Sequence, residues 1–361
     1  MNAPQTPRTL MVMAGGTGGH IFPALSVAEY LRERKWKIVW LGAKTGMEAG
    51  LVTPKGYTMA WISMTGVRGK GLVRFALLPL QLLIAFWQSA RAIFTHRPDV
   101  VLGMGGYVSF PGGMMASLFN RPLVIHEQNS IAGLTNRLLA KVADRVLGGF
   151  PTPLGKSATV NWTGNPVRAD IASIEEPTAR YLARSGVLRL TVIGGSLGAQ
   201  ALNETVPQAL ALMPATERPL VTHQSGSRHL AVVEANYQRA GVNATPVAFI
   251  TDMAAQYAAS DLIICRAGAS TIAELAAAGV ASVLVPFPHA VDDHQTHNAR
   301  FLAERGAAVL VPQTDLTAEK LAALLRAFTR DALLAMAQKA RAVAKPDATK
   351  AVAEECMRLA A

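Results

Sequence analysis

The sequence predicts an α/β protein built as two doubly wound halves, and three observations carry that expectation. Short apolar runs ending in glycine alternate with longer helical patterns, as repeated βα units around parallel sheets require. Each half begins with an apolar strand running into a glycine-rich loop and a helix, at Gly15-Gly16-Thr17-Gly18-Gly19-His20 and at Gly194-Gly195-Ser196-Leu197-Gly198-Ala199. Between the halves, residues 152–170 are rich in proline and glycine and lack periodicity, which marks a boundary. The expected domains are residues 1–163, joined by a C-terminal helix at about 341–361, and residues 164–340.

In the first half, residues 10–14 read as a strand stopped by Gly15, and Pro23 is expected in the first turn of a helix running to Arg34. Further strands are predicted at 38–41, 100–102, 123–126 and 145–147, with helices at 114–119 and 134–143. The second half repeats the pattern, with strands at 188–193, 221–223, 247–250, 262–264 and 283–285 and an alanine-rich helix at 272–278. From about Leu321 the pattern is helical, broken near Pro346. Parallel sheets bind ligands beyond the carboxyl ends of their strands, so two such domains are expected to face a cleft.

The 361 residues suffice for two cores, and 50% hydrophobic against 16% charged residues excludes a disordered chain. Two cysteines without zinc-like spacing point to a reducing compartment. The apolar run at 10–14 is too short for a signal-peptide core. The run at 75–87, interrupted by Pro79 and Gln81, falls short of the roughly 20 residues that span a bilayer. The net charge of +11 lies wholly in residues 1–165, where 17 Lys and Arg face 6 Asp and Glu. Nucleic acid, a membrane or an anionic substrate would each explain it, but no basic groove interleaved with aromatics emerges, so nucleic acid is not expected.

The glycine-rich loops point to chemistry. The first places helix N–H groups where a diphosphate could sit. A dinucleotide site would need an acid at the end of the second strand, which instead ends Leu41-Gly42-Ala43-Lys44, and the loop has no Walker lysine. His20 follows the loop, and an imidazole there can accept a proton from a hydroxyl nucleophile; local capping is the alternative. Gly103-Met104-Gly105-Gly106-Tyr107 ends the next glycine-terminated strand, and His126-Glu127-Gln128-Asn129 ends the one after. These four polar residues suit recognition of hydroxyls, with Glu127 a rival general base, or else form a hydrogen-bonded cluster supporting the glycine loop. In the second half, Ser196 and the start of the helix at Ala269-Ser270-Thr271 could hold phosphate and Glu274 one turn in could hold a ribose, with a helix cap followed by a solvated Glu274 as the alternative. Arg168 supplies a cation for a leaving diphosphate. Asp292 and Asp293 read as helix caps rather than metal ligands.

GGTGGH, GMGGYVS, HEQNSIAGLTN, GNPVR, GGSLGA, FITDMA, CRAGASTIAEL and PFPHAVDDHQ occur in the order found in the MurG family of bacterial N-acetylglucosaminyltransferases, which the chain resembles almost end to end. That resemblance implies two Rossmann-like domains facing a cleft, the GT-B architecture. It implies transfer of GlcNAc, with inversion, from UDP-GlcNAc to the muramoyl 4-hydroxyl of an undecaprenyl-diphosphoryl-MurNAc-pentapeptide, with no cofactor and no metal. Matching motifs imply donor contacts at Thr17, Gly18, Gly19, Asn129, Arg168, Ser196, Ile250, Ala269, Ser270, Thr271, Ile272, Ala273, Glu274 and Gln295. Among these, Ile250 would meet uracil, Glu274 the ribose and Gln295 the sugar hydroxyls. His20, Tyr107, Glu127 and Asn129 would lie on the acceptor side. A UDP-GlcNAc 2-epimerase on a similar pair of domains, or a non-catalytic nucleotide-sugar-binding scaffold, are the alternatives.

A polyprenyl acceptor would bring the enzyme to a bilayer. Arg68, Lys70 and Arg74 beside Leu72 and Phe75 have the composition of an interfacial anchor, leading into a helix expected to begin at Pro79 and to be mostly packed. A peripheral position on the cytoplasmic face of the inner membrane follows as the expectation.

Overall fold

The computed structural model describes residues 7–65, 77–152, 160–195 and 198–361. They form two compact units, 1–168 with 346–361 and 169–345.

The first unit alternates strand and helix: β1 (Thr9–Met13), α1 (Gly18–Glu33), β2 (Lys37–Ala43), α2 (Met47–Val52), β3 (Thr58–Ile62), α3 (Leu78–His96), β4 (Val100–Gly103), α4 (Ser109–Leu118), β5 (Leu123–Glu127), α5 (Leu134–Leu139), β6 (Arg145–Gly148) and β7 (Asn161–Trp162). The sheet order is β3-β2-β1-β4-β5-β6-β7, with parallel pairing throughout. Period-two alternation sends Leu10, Val12, Ile38, Trp40, Val100 and Leu102 to one face, under α1 and the C-terminal helix. Met11, Met13, Val39, Leu41 and Val101 go to the other face, among side chains from α3 and α4. Burial on both faces is why these strands read as unbroken apolar runs.

The second unit comprises α6 (Ala169–Ala172), α7 (Pro177–Leu182), β8 (Arg189–Ile193), α8 (Gln200–Ala211), β9 (Leu220–Gln224), α9 (Leu230–Ala240), β10 (Thr245–Val247), α10 (Met253–Ala259), β11 (Leu262–Cys265), α11 (Ala269–Ala278), β12 (Ala281–Leu284), α12 (His294–Ala303), β13 (Val309–Leu310), α13 (Ala318–Ala327) and α14 (Arg330–Ala342). Its sheet is parallel in the order β10-β9-β8-β11-β12-β13. The last helix, α15 (Ala348–Leu359), returns to the first unit, burying Val352, Ala353 and Cys356 against the α1 face.

Three local expectations are corrected. Pro23 lies inside α1 and not in its first turn, because the Thr17 carbonyl accepts from His20 and Ile21 N–H and starts the helix at the glycine loop. The strand expected at 247–250 is instead β10 at Thr245–Val247, an edge position where Pro246 costs no central ladder bond. α3 does begin beside Pro79, but it is less packed than expected: Leu80, Leu83, Ile84 and Trp87, spaced three and four apart, are exposed, and Ala85, Ser89, Ala92 and Ile93 form the inward face.

Candidate functional site

Each sheet reverses strand order beside its first strand, between β1 and β4 and between β8 and β11, and loops at such a switch point open a crevice. In the first unit the crevice loops touch. Gly106 has φ +83° and lies so close to Gly15 that a Cβ would strike the Gly15 carbonyl oxygen. Gly105, at φ +94°, backs the His20 ring, and a Cβ there would stand 3.0 Å from its Cε1 and Nδ1. The Tyr107 ring packs over Gly16. Burial, and then the nearby Glu48 charge, raise the Tyr107 pKa, so the phenol keeps its proton. His20, Gly18 and Tyr107 are half-buried, whereas Thr17 and Gly19 are exposed.

The His126-Glu127-Gln128-Asn129 segment turns mostly inward. His126, Glu127 and Gln128 are buried, and only Asn129 is partly exposed. Both Glu127 oxygens are occupied: Oε1 accepts from the Asn129 N–H (3.0 Å) and Nδ2 (3.2 Å), and Oε2 from the Gly133 N–H (3.1 Å) and Asn136 Nδ2 (2.9 Å). The carboxylate therefore shapes the loop from 128 to 136. Gln128 Oε1 lies 2.8 Å from His20 Nδ1, which joins the β5 end to the first glycine loop.

A residue the sequence reading passed over holds that loop from below. Glu48, fully buried on α2, accepts from the Ala43 N–H at 2.8 Å and from the Gly16 N–H at 3.3 Å. Its carboxylate fills space that side chains at Gly15, Gly42 and Gly46 would claim. The signal lay in three glycines placed around one acid, legible only once the fold brings them together.

In the second unit, Gly194 and Gly195 follow β8, while Ser196 lies outside the described residues. α11 starts at Ala269 after Gly268, so the N–H groups of Ala269, Ser270 and Thr271 begin the helix beyond β11. Within α11, Ile272 is buried and Ala273 and Glu274 are half-buried; Glu274 Oε2 accepts from the Tyr257 hydroxyl at 2.9 Å. Gln295 Oε1 accepts from the Phe287 N–H (2.9 Å) and Ala267 N–H (3.3 Å), which leaves its amide nitrogen to donate. The Ile250 N–H donates to Gln224 Oε1 at 3.3 Å. Arg266, another residue not singled out, ties the loop after β12 through the Val285 and Pro286 carbonyls and Gln313. Asp293 stands at the N-cap position of α12, but its carboxylate makes no bond to a helix N–H and instead accepts from the Thr296 hydroxyl at 2.6 Å, so the expected side-chain cap is not formed. Arg168, at the end of the first unit, is half-buried.

The anchor residues Arg68, Lys70, Leu72, Arg74 and Phe75 lie outside the described residues. The exposed α3 face adjoins that segment in the chain. Among the described residues no helix is long and apolar enough to cross a membrane.

Comparison with known proteins agrees with this arrangement. The glycosyltransferase family 28 N-terminal domain matches residues 10–148 and the family 28 C-terminal domain matches residues 189–353. A Cupriavidus necator protein named UDP-N-acetylglucosamine–N-acetylmuramyl-(pentapeptide) pyrophosphoryl-undecaprenol N-acetylglucosamine transferase is 61% identical over 98% of this chain and 99% of its own. A protein of the same name from Dechloromonas aromatica is 59% identical over the same shares. The crystal structure of Acinetobacter baumannii MurG, 41% identical, superposes with a TM-score of 0.86 over 98% of this chain and all of that one. A putative UDP-N-acetylglucosamine 2-epimerase from Listeria monocytogenes, 15% identical with a TM-score of 0.62 over 96% of this chain and 94% of that one, shares the fold alone.

Proposed function

The chain belongs to glycosyltransferase family 28, and on that premise we infer that it moves GlcNAc from UDP-GlcNAc to the muramoyl 4-hydroxyl of undecaprenyl-diphosphoryl-MurNAc-pentapeptide, lipid I, giving lipid II for peptidoglycan synthesis. The observation that carries this reading is identity near 60% with transferases of that specificity over nearly the whole of both chains. No second reading is favoured, since the epimerase likeness extends only to fold.

The residues take roles from their surroundings. His20 is the general base: it stands at the switch point of the first unit, partly exposed, with Nδ1 engaged by Gln128. Glu127 is assigned the organisation of the loop that carries Asn129, because four donors already occupy its oxygens. Tyr107 and Asn129 flank the acceptor, and Thr17, Gly18 and Gly19 offer the open edge of the loop. For the donor, the Ile250 carbonyl reads uracil, Glu274 holds the ribose, Gln295 donates to GlcNAc hydroxyls, and the first turn of α11 from Ala269 to Thr271 receives phosphate together with Ser196 and Arg168.

The reaction is one displacement. His20 takes the proton of the 4-hydroxyl as its oxygen forms the new bond to the anomeric carbon; the bond from that carbon to the β-phosphate oxygen breaks, and UDP departs from the opposite face. Negative charge grows on that phosphate, so fixed N–H groups at a helix N-terminus and the Arg168 guanidinium stabilise the transition state more than the ground state.

The acceptor's lipid tail accounts for the exposed α3 face. Leu80, Leu83, Ile84 and Trp87 would enter the headgroup boundary while Arg68, Lys70 and Arg74, with Leu72 and Phe75 between and beside them, meet anionic lipid on the cytoplasmic side of the inner membrane. Flotation with anionic and neutral liposomes tests this: binding should weaken with salt and without anionic lipid, and indifference to both would contradict it. For the activity itself, radiolabelled UDP-GlcNAc is incubated with and without lipid I in EDTA. Transfer should require the lipid and survive chelation; epimerisation without acceptor would refute the reading.

A further inference from the structure

A chain of hydrogen bonds runs behind His20, and its polarity can be assigned link by link. His126, at the carboxyl end of β5, is fully buried, and its Nε2 lies 2.9 Å from the Gly164 carbonyl oxygen. A carbonyl only accepts, so Nε2 carries the proton and Nδ1 presents a lone pair. Gln128 sets its amide Nε2 3.1 Å from that Nδ1 and 3.1 Å from the His126 carbonyl oxygen. Two acceptors at one end of the amide fix that end as the NH2 group. The other end, Oε1, then faces His20 Nδ1 at 2.8 Å, and an acceptor there demands N–H on Nδ1. Gly105 closes the opposite side, its Cα so near the ring that a Cβ would stand 3.0 Å from Nδ1 and Cε1.

We propose that Gln128 and His126 are positioning residues that hold His20 as its Nδ1–H tautomer, so that Nε2 is the nitrogen whose lone pair meets the acceptor hydroxyl. The proposal deepens, and rests on, the reading of His20 as base. Its physical content is specific: a neutral imidazole free in water exchanges between two tautomers, and the one protonated on Nε2 has no lone pair there to receive a proton. Burial favours neutral His126, pushing its pKa down to about 4, so the direction of the chain is kept through the neutral range. Asn136 Nδ2 adds a further donor to the His126 carbonyl at 3.1 Å, fixing the peptide on which the Gln128 amide rests.

The test reads the tautomer directly. The full chain labelled with ¹⁵N-histidine is examined by two-bond ¹H–¹⁵N correlation at alkaline pH, with the His20 signals assigned by their loss in His20→Asn. The expected pattern is a protonated Nδ1 and an unprotonated Nε2 on His20, and the reverse on His126. In Gln128→Met, which keeps the length and removes the acceptor, the His20 pattern should become a tautomer average. Its kcat should fall on the order of tenfold or more while KM for UDP-GlcNAc stays within about twofold. A packing role alone would change neither the tautomer nor this split. An Nε2–H pattern in the wild type, or an unchanged Nδ1–H pattern in Gln128→Met, would overturn the proposal. If the variant fails to fold, the wild-type spectrum alone decides. Should His20→Ala keep its kcat while the wild type shows Nδ1–H, the assignment of the base falls and the positioning of the ring stands.

Discussion

Replacing Glu127 by glutamine distinguishes a carboxylate that removes protons from one that organises a loop. The carboxylate collects four donors at 2.9 to 3.2 Å, two on each oxygen, and the residue is 3% exposed. Glutamine has nearly the same shape but a single acceptor oxygen. Whichever way its amide turns, the NH2 end meets two donors, so two of the four bonds are lost and the others become neutral. A hydrogen bond to a charged group contributes roughly 1.5–3 kcal/mol, so the cost of losing two is about 3–6 kcal/mol. For a unit of this size each kcal/mol lowers the melting temperature by roughly 2–4 °C, which makes the expected drop on the order of 10 °C. Thermal melting by circular dichroism measures it, alongside transfer activity at low temperature, where the fall should be modest, about 10- to 100-fold. A variant that melts within about 1 °C of the wild type while losing about 10³-fold or more in kcat would refute the reasoning and return Glu127 to the role of base.

Three further outcomes follow from the buried polar groups around the glycine loops. Glu48→Gln can satisfy only one of the Ala43 and Gly16 N–H groups now held by separate oxygens, so its urea stability should fall by about 1.5–3 kcal/mol and kcat should fall with it; an unchanged midpoint would contradict the support given to the first loop. Gly106→Ala places a Cβ on the Gly15 carbonyl at a φ of +83°, and should cost more than about 2 kcal/mol in the same assay; a cost below about 0.5 would show that the two loops do not abut. Burial holds His126 and His223 each near a pKa of about 4 against 6.5 in the unfolded chain, so stability is full above about pH 6.5 and is lost as pH falls towards 4, by about 3 kcal/mol per histidine. Urea titrations across that window check the sign, and a flat profile would contradict it.

The parts of the fold legible in the sequence are those whose signal is local. β1 and the loop after it combine a short apolar run with clustered glycine, and α11 announces itself by a glycine before an alanine-rich helix. α2 and β3 escaped notice: the helix is six residues long, and β3 buries only part of its TMAWI run. Glu48 was invisible because the acid and one of the groups it holds, Gly16, are 32 residues apart in sequence and meet only through the pairing of β1 with β2. The β5 end shows the limit of reading polarity as exposure. Four polar residues after a strand suggested contact with sugar hydroxyls, yet three of them turn inward, because their own loop and the Gly164 peptide supply the partners that burial demands. The charge asymmetry is legible as arithmetic, but the expected basic anchor falls in residues 66–76, outside those described, and what the fold adds is the open apolar face of α3 that follows.

Single-turnover transfer by His20→Ala bears most directly on the account, with UDP binding measured on the same preparation. His20 is assigned to the acceptor side of the reaction, whereas the uracil, ribose and diphosphate of UDP are assigned to Ile250, Glu274, the first turn of α11, Ser196 and Arg168. The variant should therefore lose about 10²–10⁴-fold in the rate of GlcNAc transfer to the lipid acceptor while its affinity for UDP stays within about threefold. A variant that transfers at close to the wild-type rate with UDP binding intact would contradict the assignment of the base.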